Sequence, residues 1–196
     1  MSERRAIYTI GHSTRPLDEF MSLLKAHGIT GLADIRTVPR SRRHPHFAGE
    51  ALARSLPAAG IVYRHFAGLG GLRKPRRDSP NAAWRHEGFR GYADYMETAE
   101  FGAALDELIE FAGATGEPPS SGGGTPPVAR VAGPPRVAIM CAEAVWWRCH
   151  RQLVADALVA RGLEVRHIVS PATPAEHTLT SFARISDGKV SYRGLI

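Results

Sequence analysis

Cysteine, glutamate, histidine and arginine side chains are concentrated in one short stretch of the sequence. The stretch opens with Cys141 and Glu143 and closes with Cys149, His150 and Arg151. A cysteine thiolate is a nucleophile and a metal ligand, and a glutamate or histidine side chain can transfer protons. An arginine guanidinium binds carboxylate and phosphate groups through its fork of N–H donors. The combination therefore indicates either thiol chemistry on an anionic substrate or a metal site.

The spacing within this stretch differs from that of familiar thiol-enzyme loops. We predict a strand that ends near Cys141 and a helix that starts near His150, so the first N–H groups of that helix would attract an anion and lower the pKa of a nearby thiol. Thiol phosphatases and sulfurtransferases use a similar layout, but with glycines in the loop and an arginine closer to the cysteine than Arg148 or Arg151 is here. We predict Cys141 as a nucleophile or redox thiol and assign no phosphatase.

Polar residues also follow the other predicted strands. The carboxyl ends of parallel strands meet at one edge of a sheet, where α/β proteins bind ligands, so we expect these residues to share one pocket with the cysteine-containing stretch. The predicted catalytic residues are Cys141, Glu143, His12 and Asp34. The predicted substrate-binding residues are Ser13, Arg36, Ser41, His65, Gly70, Gly71, Cys149, His150 and Arg151.

Each of these residues also has a structural explanation. His12 could cap a turn, Asp34 and Arg36 could form a structural ion pair, and Cys141 could pack as a small buried residue. The Trp146-Trp147 pair could stack a base or ring if exposed, or pack against the edge of the sheet if buried.

The elements that must position these residues follow from the hydrophobic pattern. Apolar, β-rich runs predict strands over residues 6–10, 31–36, 61–66, 136–140 and 164–169, and a hairpin over 183–192. Helical periodicity predicts helices from Pro16 to Gly28 with Thr14 as N-cap, over 47–59, over 91–112 with a break near 100–102, and over 150–160. The alternation predicts an α/β fold: a three-layer, mostly parallel sheet of about five strands with helices on both faces, plus a C-terminal hairpin.

Composition indicates one globular domain spanning residues 1–196. The chain is 43% hydrophobic, and residues 113–134 are a Pro/Gly/Ser-rich stretch that we expect to be a flexible insertion within the domain. Neither an apolar run of about 20 residues nor a secretory leader is visible, which predicts a cytoplasmic protein with no membrane partner. The formal charge of +6 and the basic loops at 36–43 and 73–77 favour an anionic small molecule or nucleic acid as partner.

The sequence resembles the domain of unknown function 488 family. The motifs that carry the resemblance are Thr9-Ile10-Gly11-His12-Ser13, Asp34-Ile35-Arg36, Leu69-Gly70-Gly71, Tyr92-Ala93-Asp94-Tyr95-Met96, Cys141-Ala142-Glu143 and Cys149-His150-Arg151. The resemblance implies a small cytoplasmic α/β protein and no particular reaction. We add Tyr92, which lies in one of these motifs, to the predicted substrate-binding residues. The chain departs from the family pattern at the 113–134 insertion and at the Trp146-Trp147 pair.

These observations favour an enzyme over a simple binding protein. Cys, Glu, His and Arg at the strand ends exceed what phosphate affinity alone requires, so we predict a thiol-dependent hydrolase or transferase that acts on a nucleotide or nucleic acid. One alternative is a module that binds nucleic acid or nucleotide without chemistry. Another is a metal-binding protein that uses the Cys, His, Asp and Glu side chains. The sequence indicates no particular cofactor and no oligomeric state.

Overall fold

The computed structural model describes residues 6–114 and 135–194 and has the predicted α/β architecture. Within these residues the strands are β1 (Ala6–Gly11), β2 (Gly31–Asp34), β3 (Val62–His65), β4 (Val137–Cys141), β5 (Glu164–Ile168), β6 (Ala175–Glu176), β7 (Arg184–Ser186) and β8 (Lys189–Ser191). The α-helices are α1 (Leu17–Ala26), α2 (Gly49–Ser55), α3 (Glu87–Met96), α4 (Ala99–Ala114) and α5 (Arg151–Ala160).

The main sheet has the strand order β3-β2-β4-β1-β5-β6. β1 to β5 pair in parallel, and β6 is antiparallel to β5. From β1 the chain crosses over α1 to β2 on one side, whereas from β4 it crosses over α5 to β5 on the other side. The loops that leave β1 and β4 therefore diverge, which creates the crevice in which open α/β sheets bind ligands.

Two hydrophobic cores cover the two faces of the sheet, as expected for parallel strands that are buried on both sides. Alternate residues of β1 divide between them: Ile7 packs with the core that includes α4 and α5, and Tyr8 packs with the core that includes α1 and α2. β4 is buried along its whole length. The centre of the sheet is thus closely packed on both faces, and the loops at its carboxyl edge start from these buried strands.

Several helix boundaries differ from the prediction: α2 covers only Gly49–Ser55 of the predicted 47–59, and α3 begins at Glu87 rather than 91. Two further differences have a local explanation. Pro16, not Thr14, is the N-cap of α1, because the carbonyl oxygen of Pro16 accepts the first helical hydrogen bond from Phe20 N–H. The long helical stretch divides before Ala99 rather than near 100–102, since the hydroxyl of Thr98 accepts a hydrogen bond from Phe101 N–H and so caps α4. β6 is absent from the prediction because its pairing covers only two residues.

The predicted turn signals at the helix and hairpin ends are confirmed. Gly28 has φ +62° and follows α1, and Asp187 and Gly188 have φ of +51° and +71° between β7 and β8. Two successive residues with positive φ are the signature of a type I′ hairpin turn. α4 continues to Ala114, so the first two residues of the predicted insertion are helical, and residues 115–134 lie outside the described part of the chain. No helix within the described residues is both long enough and apolar enough to cross a bilayer.

Candidate functional site

A cleft of about 690 Å³ lies at the carboxyl ends of β1, β2 and β4. Its lining includes residues from the loop after each of these strands: His12, Arg36, Arg40, Ser41, Cys141, Glu143, Trp147, Arg148, Cys149 and His150. A groove of about 450 Å³ adjoins it and shares His12, Ser41 and Glu143, while adding Ser13, Arg42, Arg43 and His44. Most of the predicted site residues therefore meet at one place.

The two cysteines of the chain face each other at the base of the cleft. Cys141 ends β4, Cys149 lies just before α5, and their Sγ atoms are 2.7 Å apart as free thiols. Burial and the hydrogen bond to Cys149 raise the pKa of Cys141 well above the ordinary thiol value. Burial acts in the same direction on Cys149, but hydrogen bonds from Cys141 and His150 and the charges of His150 and Arg151 outweigh it, so its pKa is lowered well below that value.

The position of Cys149 at the start of α5 explains this difference. The Arg151 N–H, in the first turn of α5, donates to Cys149 Sγ at 3.4 Å, so the positive end of the helix dipole faces this sulfur. Cys141 instead ends a strand, and its Sγ donates to the carbonyl oxygen of Glu143 at 3.9 Å. Of the two thiols, Cys149 is therefore the one whose deprotonation its surroundings favour.

Arg151 adds a buried positive charge beside the thiolate. Its side chain is 1% exposed, and its Nη2 donates to the carbonyl oxygens of Glu143 at 2.6 Å and Ala144 at 3.3 Å. Its Nε has no hydrogen-bond partner, and no carboxylate pairs with it among the described residues. A buried guanidinium needs a compensating anion. Cys149 is a group that can carry this negative charge, since the charge of Arg151 contributes to lowering its pKa.

His150 is held with one ring nitrogen towards Cys149. Its Nε2 donates to the carbonyl oxygen of Ile35 at 3.0 Å, and its Nδ1 lies 3.5 Å from Cys149 Sγ. Protonation of Nδ1 turns this contact into a thiolate–imidazolium pair, an arrangement that activates cysteine nucleophiles. The Tyr92 ring packs 5.2 Å from the imidazole and buttresses it.

Two glycines allow this close packing. A β-carbon on Gly11, at the end of β1, would overlap the carbonyl oxygen of Glu143, so the loop after β4 lies directly on the Gly11 backbone. A β-carbon on Gly71 would overlap the His150 ring. Both positions require glycine because of the close approach of a neighbour.

Asp34 and Arg36 form a buried ion pair at one side of the cleft. Arg36 Nε donates to Asp34 Oδ1 at 2.8 Å and Nη2 to Oδ2 at 2.5 Å, while Tyr63 OH donates to Oδ2 at 2.8 Å. Asp34 is fully buried and does not line the cleft. Because Arg36 and Tyr63 donate to both carboxylate oxygens of Asp34, the structural role of this residue is favoured over a catalytic one. Arg36, in contrast, lines the cleft.

His12 lies between this ion pair and the cleft. Its Nδ1 donates to the Ser13 carbonyl oxygen at 2.9 Å, its Nε2 is 3.3 Å from Arg36 Nη1, and its ring stacks on Phe47 at 4.3 Å. Burial, opposed by the hydrogen bond to Ser13 and reinforced by the charge of Arg36, lowers the pKa of His12 to about 4. His12 is therefore neutral near pH 7 and accepts a hydrogen bond from Arg36.

Four predicted binding residues do not line the open cleft: the buried Arg151 and three others. His65 is exposed, and its Nε2 donates to the carbonyl oxygen of Arg36 at 2.8 Å. Gly70 is buried against Thr37. Tyr92 is fully buried and donates its hydroxyl hydrogen to the carbonyl oxygen of Leu69 at 2.8 Å. All three support the walls of the site rather than line it.

The cleft rim carries exposed apolar side chains, and the sequence indicated a possible ligand contact for only one of them, Trp147. Leu72 is 80% exposed, Val38 56% and Trp147 52%, and all three line the cleft. Of the tryptophan pair only Trp147 faces the open cleft. Trp146 instead stacks on His167 at 4.1 Å with an interplanar angle of 5°. Large exposed apolar groups gathered at a cleft often contact ligands.

The second predicted basic loop does not belong to the cleft. Arg73 lies over the Tyr95 ring at 3.6 Å, and Arg76 pairs with Glu97 at 2.7 Å. The positive charge at the cleft comes instead from the first loop and from Arg148.

A buried polar network behind the cleft was also missed. Thr9 Oγ1, His167, His177 and Asp156 form a chain of hydrogen bonds of 2.8 to 2.9 Å. Tyr192 OH and Thr180 also donate to Asp156. The partners are far apart in the sequence, so no local motif predicts the network. It ties β1, β5, α5 and the C-terminal segment together.

No group of three or more His, Cys, Asp or Glu side chains is arranged to hold a metal ion anywhere in residues 6–114 and 135–194. The predicted metal ligands separate, because Asp34 is turned to Arg36 and His12 to Ser13.

The fold and the site together define an α/β protein with a cysteine pair at the carboxyl edge of its parallel strands, in a cleft lined by arginines. The chain belongs to the family described as Domain of unknown function DUF488, which matches residues 16–116 and 124–158. The matched region includes both cysteines, His150 and Arg151. No curated protein and no solved structure matches the chain. The family description names no reaction, so function has to be argued from the site.

Proposed function

We propose that this protein is a thiol-dependent hydrolase or transferase that acts on a phosphate-bearing substrate, with Cys149 as its nucleophile. The observation that carries the proposal is the contact between Cys149 Sγ and the first turn of α5, beside the buried charge of Arg151. A thiolate stabilised by a helix N-terminus and a cation is nucleophilic at neutral pH. We assign this role to Cys149 rather than to Cys141, because burial and the contact with Cys149 raise the pKa of Cys141.

Arginine side chains around the thiolate would bind the phosphate group. Arg40 and Arg148 are exposed and line the cleft, and neither forms a salt bridge within the described residues. Arg36 contributes a fixed charge, because Asp34 and the carbonyl oxygen of Phe47 hold its guanidinium in place. Arginine is suited to this task because its planar donors match phosphate oxygens.

The reaction would proceed in two displacements. The Cys149 thiolate attacks phosphorus, the bond from phosphorus to the leaving oxygen breaks, and the imidazolium of His150 gives its proton to that oxygen. Water or an acceptor hydroxyl then attacks the cysteinyl phosphate, Glu143 takes its proton, and the thiolate leaves. Glu143 suits the second step because its side chain is exposed at the cleft.

The rim favours a nucleotide over a small phosphate ester. Trp147, Val38 and Leu72 offer an apolar surface at the mouth of the cleft, and a nucleobase can stack on an exposed tryptophan. The phosphate would then lie deeper, among the arginines.

Turnover of nucleotides by the reduced full chain tests the proposal. We expect wild-type protein to convert at least one member of a panel of mononucleotides, dinucleotides and short single strands, as followed by mass spectrometry. Cys149→Ser should lower kcat by about a thousandfold or more, because it removes the nucleophile. Cys141→Ser, the matched control, should stay within about tenfold of wild type because Cys149 is retained and the serine hydroxyl can still donate a hydrogen bond to it. Equal activity of Cys149→Ser and wild type would refute the proposal.

A binding function without chemistry is the second candidate. The groove beside the cleft adds Arg42 and Arg43, so a basic surface continues past the thiolate. In that case nucleic acid would bind wild type and Cys149→Ser equally, with no turnover. The affinity would fall with salt, with a log–log slope near −0.7 for each single-strand phosphate neutralised.

A further inference from the structure

The contact between the two cysteines has no role in the nucleophilic reaction beyond one hydrogen bond. Cys141 and Cys149 come from different elements, yet their sulfur atoms meet at 2.7 Å and both residues line the same cleft. A nucleophile needs only one thiol. A second thiol in contact with the first is the arrangement that dithiol redox chemistry requires.

The two thiols are unequal in a way that suits such chemistry. Cys149 receives the Arg151 N–H and lies beside His150, whereas Cys141, at the end of β4, donates to the carbonyl oxygen of Glu143. The first is therefore the sulfur that attacks an oxidant, and the second is held ready to attack the oxidised sulfur. Cys149 is 6% exposed and lines the cleft, and a low-pKa thiol with a resolving neighbour is the pattern of redox-reactive cysteines.

We propose that this protein also reduces hydroperoxides, with Cys149 as the oxidised thiolate and Cys141 as the thiol that resolves it. The proposal rests on the same Cys149 thiolate as the proposed function but requires neither its phosphate-bearing substrate nor Glu143.

The reaction would take place in two steps. The Cys149 thiolate attacks the terminal oxygen of a hydroperoxide ROOH, the O–O bond breaks, and Cys149 sulfenic acid forms. The leaving alkoxide takes the proton of Cys141, which becomes a thiolate. Cys141 then attacks the sulfur of the sulfenic acid, the S–O bond breaks, and hydroxide leaves as water after taking a proton from solvent. Two sulfur atoms are oxidised, the two peroxide oxygens are reduced to ROH and water, and an external dithiol restores the pair.

Arg151 makes the disulfide easy to reduce again. In the reduced pair the charge of its buried guanidinium favours a thiolate on Cys149, but in the disulfide no such negative charge can form. Interactions that stabilise the reduced form make a disulfide more oxidising, as thiolate stabilisation does in known oxidoreductases. The site is thus built for a transient disulfide rather than a permanent one.

Intact-mass measurement on the full chain tests the proposal. Reduced, desalted protein is treated with one equivalent of hydrogen peroxide or cumene hydroperoxide in the presence or absence of dimedone. Wild type should lose the mass of two hydrogens and give a peptide joining Cys141 to Cys149. Cys141→Ser should gain one oxygen and form a dimedone adduct at Cys149. Cys149→Ser should consume peroxide at least about tenfold more slowly than wild type.

Other outcomes would overturn it. A wild-type protein that accumulates a dimedone adduct or higher oxides at Cys149, without the joined peptide, has no resolving thiol. A Cys149→Ser protein that consumes peroxide as fast as wild type places the reaction elsewhere. Peptide mapping of wild type needs no variant to fold, so the result does not depend on the stability of the serine variants.

The two proposals fail separately. Nucleotide turnover that survives in Cys141→Ser, together with no joined peptide in wild type, would remove the peroxide reaction alone. A joined peptide and peroxide consumption, with no turnover of any nucleotide, would remove the hydrolase or transferase alone.

Discussion

The His150 imidazole occupies the space that a β-carbon on Gly71 would need, and its Nδ1 points at Cys149 Sγ from 3.5 Å. The loop after β3 thereby sets the position of a side chain that starts α5. Because His150 lowers the pKa of Cys149, a glycine on one loop controls the reactivity of a thiol on another.

Gly71→Ala should therefore raise the pKa of Cys149 by displacing the His150 ring. The expected result is slower alkylation of Cys149 by iodoacetamide at pH 6 to 7, by roughly three- to tenfold, with little change above pH 9. Gly102→Ala is the matched control, since a β-carbon there meets nothing within 4 Å and the position is helical. An alkylation profile identical to wild type would show that His150 does not tune the thiolate.

Acid should destabilise the protein through His12 and His167. Burial, the charge of His177 and the charge of Arg151 lower the pKa of His167 to about 3, and that of His12 is about 4, against 6.5 in the unfolded chain. Between these values and pH 6.5 the unfolded chain binds more protons than the folded chain, so the free energy of unfolding rises with pH. The stability that depends on the neutral His12 and His167 rings is fully present above about pH 6.5 and is lost as the pH falls towards 4 and then 3.

Urea unfolding at pH 7, 5.5 and 4.5 measures this loss. The shift of His12 alone corresponds to roughly 3 kcal/mol if fully realised. His167→Gln should be less stable at pH 7, because Thr9 and His177 lose a partner, but its free energy of unfolding should fall less steeply with acid. His65→Gln, which changes an exposed histidine, should keep the wild-type slope. A wild-type stability that is flat from pH 7 to 4.5 would contradict the buried neutral state of both rings.

The fold could be predicted from the sequence because the patterns that indicate its strands and turns are local. Strand β4 is apolar throughout, as a strand covered on both faces must be, and Asp187-Gly188 specifies its own turn. The convergence of His12, Arg36 and Cys141 also followed, since parallel strands end at one edge. The N-cap of α1 was predicted wrongly. Whether Thr14 or Pro16 begins the helix depends on backbone angles that composition does not determine.

The roles within the site depended on contacts that sequence does not contain. The sequence placed a thiol near a helix N-terminus but could not tell whether Cys141 or Cys149 receives its N–H groups. Occupation of Asp34 by Arg36 and Tyr63 likewise requires their side-chain directions. The exposed rim residues carry no motif at all. These outcomes arise from packing between elements far apart in the chain.

Asp34 should be important for stability rather than for the chemical step. Asp34→Ala leaves the Arg36 guanidinium buried without its carboxylate and should lower the free energy of unfolding by about 3 to 5 kcal/mol. Arg36→Met in the same chain removes the uncompensated charge, so the double variant should be more stable than Asp34→Ala alone. The alkylation rate of Cys149 in the folded double variant should stay near that of wild type. A double variant no more stable than Asp34→Ala would show that the ion pair is not the source of the effect.

Trp147 should contribute to base recognition and not to phosphate binding. Its side chain is 52% exposed at the cleft mouth, so its removal should cost little stability. Loss of one base–aromatic stack costs about 1 to 3 kcal/mol, so Trp147→Ala should weaken binding of a mononucleotide by roughly five- to a hundredfold. Binding of ribose 5-phosphate, which carries the phosphate without the base, should be unchanged. Calorimetric titration of both ligands into wild type, Trp147→Ala and Arg148→Ala separates the two contributions. Arg148→Ala should weaken both ligands alike, because it removes a charge that faces the phosphate. Equal weakening of both ligands by Trp147→Ala would instead mean that this side chain only shapes the loop.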